Sequence, residues 1–264
     1  MLQVKLERDT HTYISLLPKQ EPGEPDIIMS LKPAGDMKSG GLSRTALLEY
    51  LQVKPERFFS LKQVHSQRVY VTGPTLISTQ EGDGLVAGAR DHVLGVSVAD
   101  CMPIFLFHTQ SRNFAVVHSG WKGTGIALQA LGQFQKRYGI PAEDVTAVLG
   151  PSIRSCCYQV DEARAKVFRS NWGRESVKWR TAPPAHTLLS QHSIDNKDVN
   201  NGGSTGEAPF LDLLSANVYS LQQQGLRDIR FIDECTACTA DLGSFRREGP
   251  EQFTHMLAII GYIK

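Results

Sequence analysis

No run of this chain is apolar for the length of a membrane span. The longest apolar stretches, such as Val93 to Val98, are strand-sized, whereas a crossing helix needs about 20 such residues. Excess charge is missing too: 28 Lys and Arg face 27 Asp and Glu, a net of +1. No global field therefore draws the chain to nucleic acid or to an anionic membrane, and neither is expected as a partner. A local patch for a small anion remains open. Cysteine is sparse and odd in number, five residues, which does not make a disulfide framework. The opening Met-Leu-Gln-Val-Lys-Leu-Glu-Arg-Asp is too charged for a secretory leader. Free thiols and a cytoplasmic location are the expectation. Repeats and coiled-coil heptads are absent. None of the eight histidines stands in a His-x-His pair, so the ligand supply of a multicopper oxidase is lacking.

What is present is ordinary in bulk and specific in detail. The 264 residues are 41% hydrophobic and 21% charged, enough for one large domain with a real core. Residues 1–30 read as an irregular segment, broken by Pro18, Pro22, Gly23 and Pro25. Leu47, Leu48 and Leu51 mark a short helix. Strands are expected at Phe59–Val64, Arg68–Thr72, Asp91–Cys101, Ile104–His108 and Phe114–His118, because β-branched and aromatic runs there end in polar residues or glycine. Ala127, Leu131, Phe134 and Tyr138 share one face of a helix that Gly139 and Pro141 stop. A strand at Val145–Leu149, a helix at Asp161–Trp172, and a helix capped by Asp212 and stopped by Gly225 follow. Strands at Asp228–Asp233 and Met256–Ile263 close the chain. Residues 180–209 read as a polar surface insertion. Strands and helices mixed throughout point to α+β or α/β architecture, with residues 31–264 as a single catalytic domain.

Chemistry concentrates in three short segments. His65 lies in Leu-Lys-Gln-Val-His-Ser, Cys101 in Val-Ala-Asp-Cys-Met-Pro-Ile, and His118 in Ala-Val-Val-His-Ser-Gly-Trp-Lys-Gly. Two imidazoles and a thiolate make a three-ligand set for zinc with the fourth position open, provided the three meet. Each has a plainer reading on its own. His65 can be a hydrogen-bonded histidine, Cys101 a small buried hydrophobe, and the turn after His118 an ordinary tight turn. Ser119 to Gly125 can also serve as a glycine-rich anion-binding turn before a helix, although it does not fit a Walker A loop. Cys235-Thr-Ala-Cys238 and the adjacent Cys156-Cys157 offer four thiolates for a structural zinc only if neighbouring cysteines both reach one metal, which strains the chain. No thioredoxin-like pattern surrounds the pair. Ser244-Phe-Arg-Arg247 is either a solvated turn or an anion clamp.

Taken together, these motifs resemble the family of laccase-domain, multicopper-polyphenol-oxidase-like proteins described as purine nucleoside phosphorylases with adenosine deaminase activity. The resemblance covers most of residues 31–264. It rests on Gln63-Val-His65, Asp83-Gly84, Ala99-Asp-Cys-Met-Pro-Ile104, Val117-His-Ser-Gly-Trp-Lys-Gly123, Gly150-Pro-Ser-Ile-Arg-Ser-Cys-Cys-Tyr158, Leu211-Asp-Leu213, Cys235-Thr236 and Ser244-Phe-Arg-Arg247. It implies an α+β layered sandwich, with mixed β-sheets inside and helices outside. It implies Zn2+, more than copper, on His65, Cys101 and His118. It implies contacts to purine nucleoside or phosphate from Arg44, Gln63, Asp83, Lys122, Ser244 and Arg246. Deamination would also need a nearby carboxylate or histidine to shuttle a proton, and Asp83 and Asp100 are both candidates. Three departures stand out. Ser43 replaces an asparagine before Arg44, the Thr-Arg-x-Gly-Gly segment is not found in residues 1–30, and His255 replaces the arginine of Thr-Gly-Arg-Met. Two alternatives stay open at this point: a cysteine hydrolase or amidase using Cys101 and His118, and a non-enzymatic interaction module.

Overall fold

The computed structural model describes residues 1–181 and 206–263. The fold is α+β, a sandwich of two mixed β-sheets between outer helices. One sheet has seven strands, β1 (Leu2–Val4), β6 (Val69–Val71), β7 (Gly84–Val86), β9 (Met102–His108), β10 (Asn113–Ser119), β11 (Thr146–Leu149) and β14 (Asp228–Ile232), in the order β1-β14-β11-β9-β10-β7-β6. The other has six: β2 (Glu7–Asp9), β3 (Ile14–Leu16), β4 (Asp26–Ser30), β5 (Phe58–Phe59), β8 (Val93–Val98) and β15 (Met256–Gly261), ordered β2-β3-β4-β15-β8-β5. A small antiparallel ribbon, β12 (Val177–Thr181) with β13 (Glu207–Leu211), flanks the segment read as a polar insertion. Most of that segment, residues 182–205, lies outside the described residues.

Side-chain alternation builds the layers, since successive residues of a strand face opposite ways. In β9, Phe105 and Phe107 join Phe114 and Val116 of β10 against Val96, Val98, Met256, Ala258 and Ile260 of the other sheet. Met102, Ile104 and Leu106 point the other way, onto α2 (Ile126–Tyr138), α3 (Glu162–Trp172) and α4 (Leu213–Gln223). The outer face of the six-stranded sheet, with Ile28, Val93, Leu257 and Ile259, is covered by Leu47 of α1 (Leu42–Tyr50) and by Val53. Asp161 and Asp212 cap α3 and α4 through hydrogen bonds from Arg164 N, 2.7 Å, and Ser215 N, 3.0 Å, a favoured way to satisfy free N–H groups. No helix among the described residues is long and apolar enough to cross a membrane.

Residues 1–30 correct the expectation of an irregular segment. They hold β1 to β4, and β4 pairs antiparallel with β15 near the middle of the six-stranded sheet. Proline and glycine did break long elements, but three- to five-residue strands fit between the breaks. Such strands gain their stability from neighbours, which local sequence does not show. Phe59–Val64 is also shorter than expected, forming only β5 before an isolated bridge from Lys62 to Glu81.

Deleting residues 1–30 is therefore expected to strip β15 of its β4 partner and leave an apolar edge prone to association. Sedimentation and thermal melting of the truncated chain test this. A monomer melting at the full-length temperature would show these strands to be dispensable.

Candidate metal centre and cavity

Strand register brings His118 and Cys101 together. In the β9–β10 hairpin, His118 lies opposite Pro103 and Ser119 opposite Met102, so the end of β10 meets the start of β9, one residue after Cys101. Just before it the chain crosses from the six-stranded sheet (β8) to the seven-stranded sheet (β9). Asp100 makes the bend in the left-handed region, φ 83°, a conformation rare for residues with a side chain. His65 arrives from the loop before β6 with φ 56°. Gln63, two residues earlier, staples that loop to β8: its Nε2 donates to Ser97 O at 2.8 Å, and its Oε1 accepts from Ser97 N at 2.7 Å. The ligand atoms of His65, Cys101 and His118 all lie within 4.8 Å of one another. Gly120 leaves them room, because a Cβ there would sit 2.7 Å from Cys101 Sγ.

Asp83, fully buried before β7, organises this group. Its carboxylate accepts hydrogen bonds from the backbone of Val64, 3.2 Å, His65, 3.0 Å, and Ser66, 2.6 Å, and from Ser66 Oγ, 2.7 Å. Its Oδ1 lies 3.0 Å from His118 Nδ1. Burial opposes its charge, but hydrogen bonds from His118 and Ser66 outweigh burial and hold the carboxyl far below the usual range. With Nδ1–H given to Asp83, His118 is left with Nε2 as its donor atom, the arrangement in which a carboxylate orients a metal-binding imidazole. Two nitrogens and a sulfur suit a borderline-soft divalent ion with a position left open.

Without a metal, the same atoms form an ion pair. Burial alone would keep Cys101 neutral, but the charge of His118 and hydrogen bonds from His118 and His65 bring its thiol down to about 6. Burial likewise disfavours charged His118, yet the Cys101 thiolate and Asp83 raise it to about 9.

The three residues border a cavity of about 650 Å³. Of the residues expected at the substrate, Arg44, Gln63, Lys122 and Arg246 line it; Asp83 and Ser244 do not. Ser244 is buried and caps the short helix α5 (Phe245–Glu248), accepting from Arg247 N at 3.2 Å. Gln63 spends its amide on Ser97, as above. Arg246 is also anchored: Nη1 and Nη2 donate to Cys157 O, 3.1 Å, and Gln159 O, 3.2 Å. Arg44 differs. It stacks on Phe58 at 5.2 Å, its buried Nη2 has no hydrogen-bond partner among the described residues, and burial lowers its pKa to about 10. Gly123 to Gly125 is not part of the wall.

Sequence reasoning missed several wall residues. Lys38, Lys62 and Arg164 add cations, and Trp121, Tyr158, Phe245 and Phe253 add aromatic faces. Lys38 belongs to Met-Lys-Ser-Gly-Gly41, which keeps the basic residue and paired glycines of the Thr-Arg-x-Gly-Gly layout sought in residues 1–30. That spacing was the available signal. Lys38, Arg44, Lys62, Lys122, Arg164 and Arg246 line this cavity with Asp100 as the single carboxylate among the described residues of its wall; Lys38, Lys62 and Arg164 also pair with Asp36, Glu81 and Asp161 beyond it, so the charge excess lacking in the whole chain is present locally through Arg44, Lys122 and Arg246. Asp100 itself is buried, and burial raises its carboxyl above the usual value despite hydrogen bonds from Thr236 Oγ1 and Arg246 N, both 2.6 Å.

These features define a class: a two-sheet sandwich with a His-Cys-His donor set bordering a cationic, aromatic cavity. The chain belongs to the multi-copper polyphenol oxidoreductase laccase family, whose model matches residues 34–262. It is 31% identical to "Purine nucleoside phosphorylase" of Borreliella burgdorferi, over 71% of this chain and 72% of that protein. It is 35% identical to "Purine nucleoside phosphorylase LACC1" of Mus musculus over 69% of this chain, but that match spans only 38% of the mouse protein. "Adenosine deaminase RL5" from an unknown prokaryotic organism is 29% identical over 74% of this chain and 71% of its own length. The solved structure of Bacillus licheniformis hypothetical protein YfiH shares the fold, with a TM-score of 0.78 at 20% identity over 97% of this chain and 98% of its own.

In chelator-treated protein, alkylation of Cys101 by iodoacetamide is expected to follow a pH midpoint near 6. The sign follows from the lowered pKa: the thiolate persists until the pH falls through that value. Mass mapping of the alkylated residue against pH checks it, and a midpoint at or above the ordinary thiol value of about 8.5 would contradict the ion pair.

Proposed function

We propose that the protein is a zinc-dependent purine nucleoside phosphorylase, with adenosine deaminase activity, acting on adenosine, inosine, guanosine and methylthioadenosine. The observation that carries this reading is the cavity: six Lys and Arg and four aromatic side chains around a His-Cys-His set, with one carboxylate. Phosphate needs the first, a purine face the second. The names of the bacterial and mouse relatives support the phosphorylase chemistry, and the prokaryotic relative supports the deaminase.

His65, Cys101 and His118 would hold the zinc, with Asp83 orienting His118. A zinc ion there supplies Lewis acidity and a bound water of lowered pKa. The other contributions belong to this chain's own residues. Arg44, with its unpartnered Nη2, and Lys122 hold phosphate beside the ribose, and Arg246 adds positive charge from its fixed position. A phosphate oxygen then attacks the anomeric carbon, the C–N bond breaks, and the base leaves with the bonding electrons and takes a proton. Trp121, Tyr158, Phe245 and Phe253 offer faces for the purine and exclude water. Asp100, at the wall with its carboxyl raised above the usual value by burial, is placed to exchange a proton with a leaving base or amine. In deamination, water adds to the carbon bearing the amino group and ammonia departs.

A second reading has one observation in its favour. Cys101, His118 and Asp83 also form a thiolate, imidazole and carboxylate series, the layout of a cysteine hydrolase. Metal content separates the two, because a metal-bound thiolate is not a free nucleophile.

Purified protein incubated with adenosine is expected to release adenine and ribose-1-phosphate only when phosphate is present, and inosine without it. His118→Ala should lower both rates by about 100-fold or more and reduce bound zinc. Arg44→Gln should raise the phosphate KM by about tenfold or more, the worth of a charge-assisted hydrogen bond, with little change in zinc. Full activity in chelator-stripped protein that iodoacetamide abolishes would favour the hydrolase. Asp83→Asn should weaken zinc about 10- to 100-fold in chelator competition; unchanged affinity would remove Asp83 from its orienting role.

A further inference from the structure

A second group of thiols converges outside the cavity wall. β11 and β14 are parallel neighbours, so both chains leave the sheet at the same edge. The segments that follow stay zipped together: Ser152 bridges Cys235, Ser152 N donates to Glu234 O at 3.3 Å, and Thr236 N to Ser152 O at 3.2 Å. Each then turns back on itself. Cys157 N and Tyr158 N donate to Arg154 O, both at 2.9 Å, while Cys238 N and Thr239 N donate to Cys235 O at 3.1 and 3.0 Å. The two turns present Cys156 and Cys157 to Cys235 and Cys238, and all four sulfurs lie within 4.8 Å of one another.

We propose that Cys156, Cys157, Cys235 and Cys238 form a second metal site, a structural tetrathiolate zinc centre. The spacing fits. Zinc–sulfur bonds of about 2.3 Å put tetrahedral sulfurs about 3.8 Å apart; Cys238 Sγ lies 3.7 Å from Cys156 Sγ and 3.4 Å from Cys157 Sγ. Mutual approach of all four is what a shared ion requires, whereas a disulfide needs only pairs. The expected strain of adjacent ligands is relieved by the turn at Arg154–Tyr158, which brings both thiols to one side. Backbone polarity suits thiolates: Arg154 N–H points to Cys235 Sγ at 3.4 Å, a donor typical of metal-bound sulfur. The Arg154 guanidinium itself pairs with Asp233 Oδ1 through Nη2 at 3.1 Å and keeps a buried Nη1 without a hydrogen-bond partner among the described residues. Cys156 and Cys238 are exposed, which gives the ion a way in.

The centre would act on the cavity through the loops it ties. Cys157 O holds the Arg246 guanidinium, Thr236 Oγ1 holds Asp100, and Ile153 and Tyr158 line the wall. Its role is therefore positioning, and it stands whether or not the proposed activity is correct.

The test counts zinc by elemental mass spectrometry in protein purified under reductant. His65→Ala/Cys101→Ser/His118→Ala removes the cavity ligands, and this variant is expected to retain a single zinc ion per chain. Adding Cys235→Ser and Cys238→Ser should remove it. Cobalt substitution of the first variant should give the intense thiolate charge-transfer and d–d bands of a tetrahedral all-sulfur site. If the triple variant does not fold, the wild type answers the same question: Cys235→Ser/Cys238→Ser should lower its metal count by one ion and abolish the all-sulfur cobalt bands. A folded triple variant without zinc, thiols alkylated equally fast with and without chelator, or a disulfide among the four found by mass mapping would overturn the proposal.

Discussion

The buried carboxylate of Asp83 is the group on which the centre depends. It is fully buried, so its charge is tolerable only while Val64, His65 and Ser66 donate to it and His118 faces it. Those contacts carry out two tasks with one group. They fold the 63–66 loop over the sheet edge, which places His65, and they fix the orientation of His118. Cys101 then completes the set because the β9–β10 register leaves it beside the end of β10.

The sandwich architecture explains why this group sits at a cavity rather than in a core. Between Val98 and Met102 the chain leaves one sheet and enters the other, and regular pairing stops at the crossing. The gap is walled by segments from far apart in sequence: Lys38 and Arg44 near α1, Trp121 and Lys122 after β10, Arg164 on α3, Phe245 and Arg246 on α5. Each brings a charge or a ring that is unremarkable alone. Collected around one carboxylate, they make a field that a net charge of +1 conceals. Of these cations Arg44 is the most telling, because a buried guanidinium nitrogen without a partner among the described residues is costly unless an anion completes it.

Much of the fold was legible. Near-continuous β-branched and aromatic runs at Val93–Val98, Ile104–His108 and Phe114–His118 identified strands, because these are buried on both faces and their composition is insistent. The α2 face and the Asp212 cap were equally readable, since a helix cap is local chemistry. Residues 1–30 were misread because their strands are three to five residues long and owe their existence to partners such as β15. The polar insertion remains an expectation outside the described residues.

For the site, the sequence by itself determined the donor chemistry. It placed His65, Cys101 and His118 in dense motifs of recognisable type, and residue identity is all that ligand chemistry requires. Only the tertiary structure decided the division of labour among their neighbours. Asp83 and Ser244 read as substrate contacts in a linear motif, yet burial turns one into the partner of His118 and the other into a helix cap. Gln63 is committed to Ser97, and the four outlying cysteines converge through the parallel pairing of β11 with β14. The physical reason is the same in each case. A side chain's identity is fixed by its codon, but whether its polar atoms face solvent, substrate or another buried group depends on distant chain segments, as with Cys156 and Cys238, 82 residues apart.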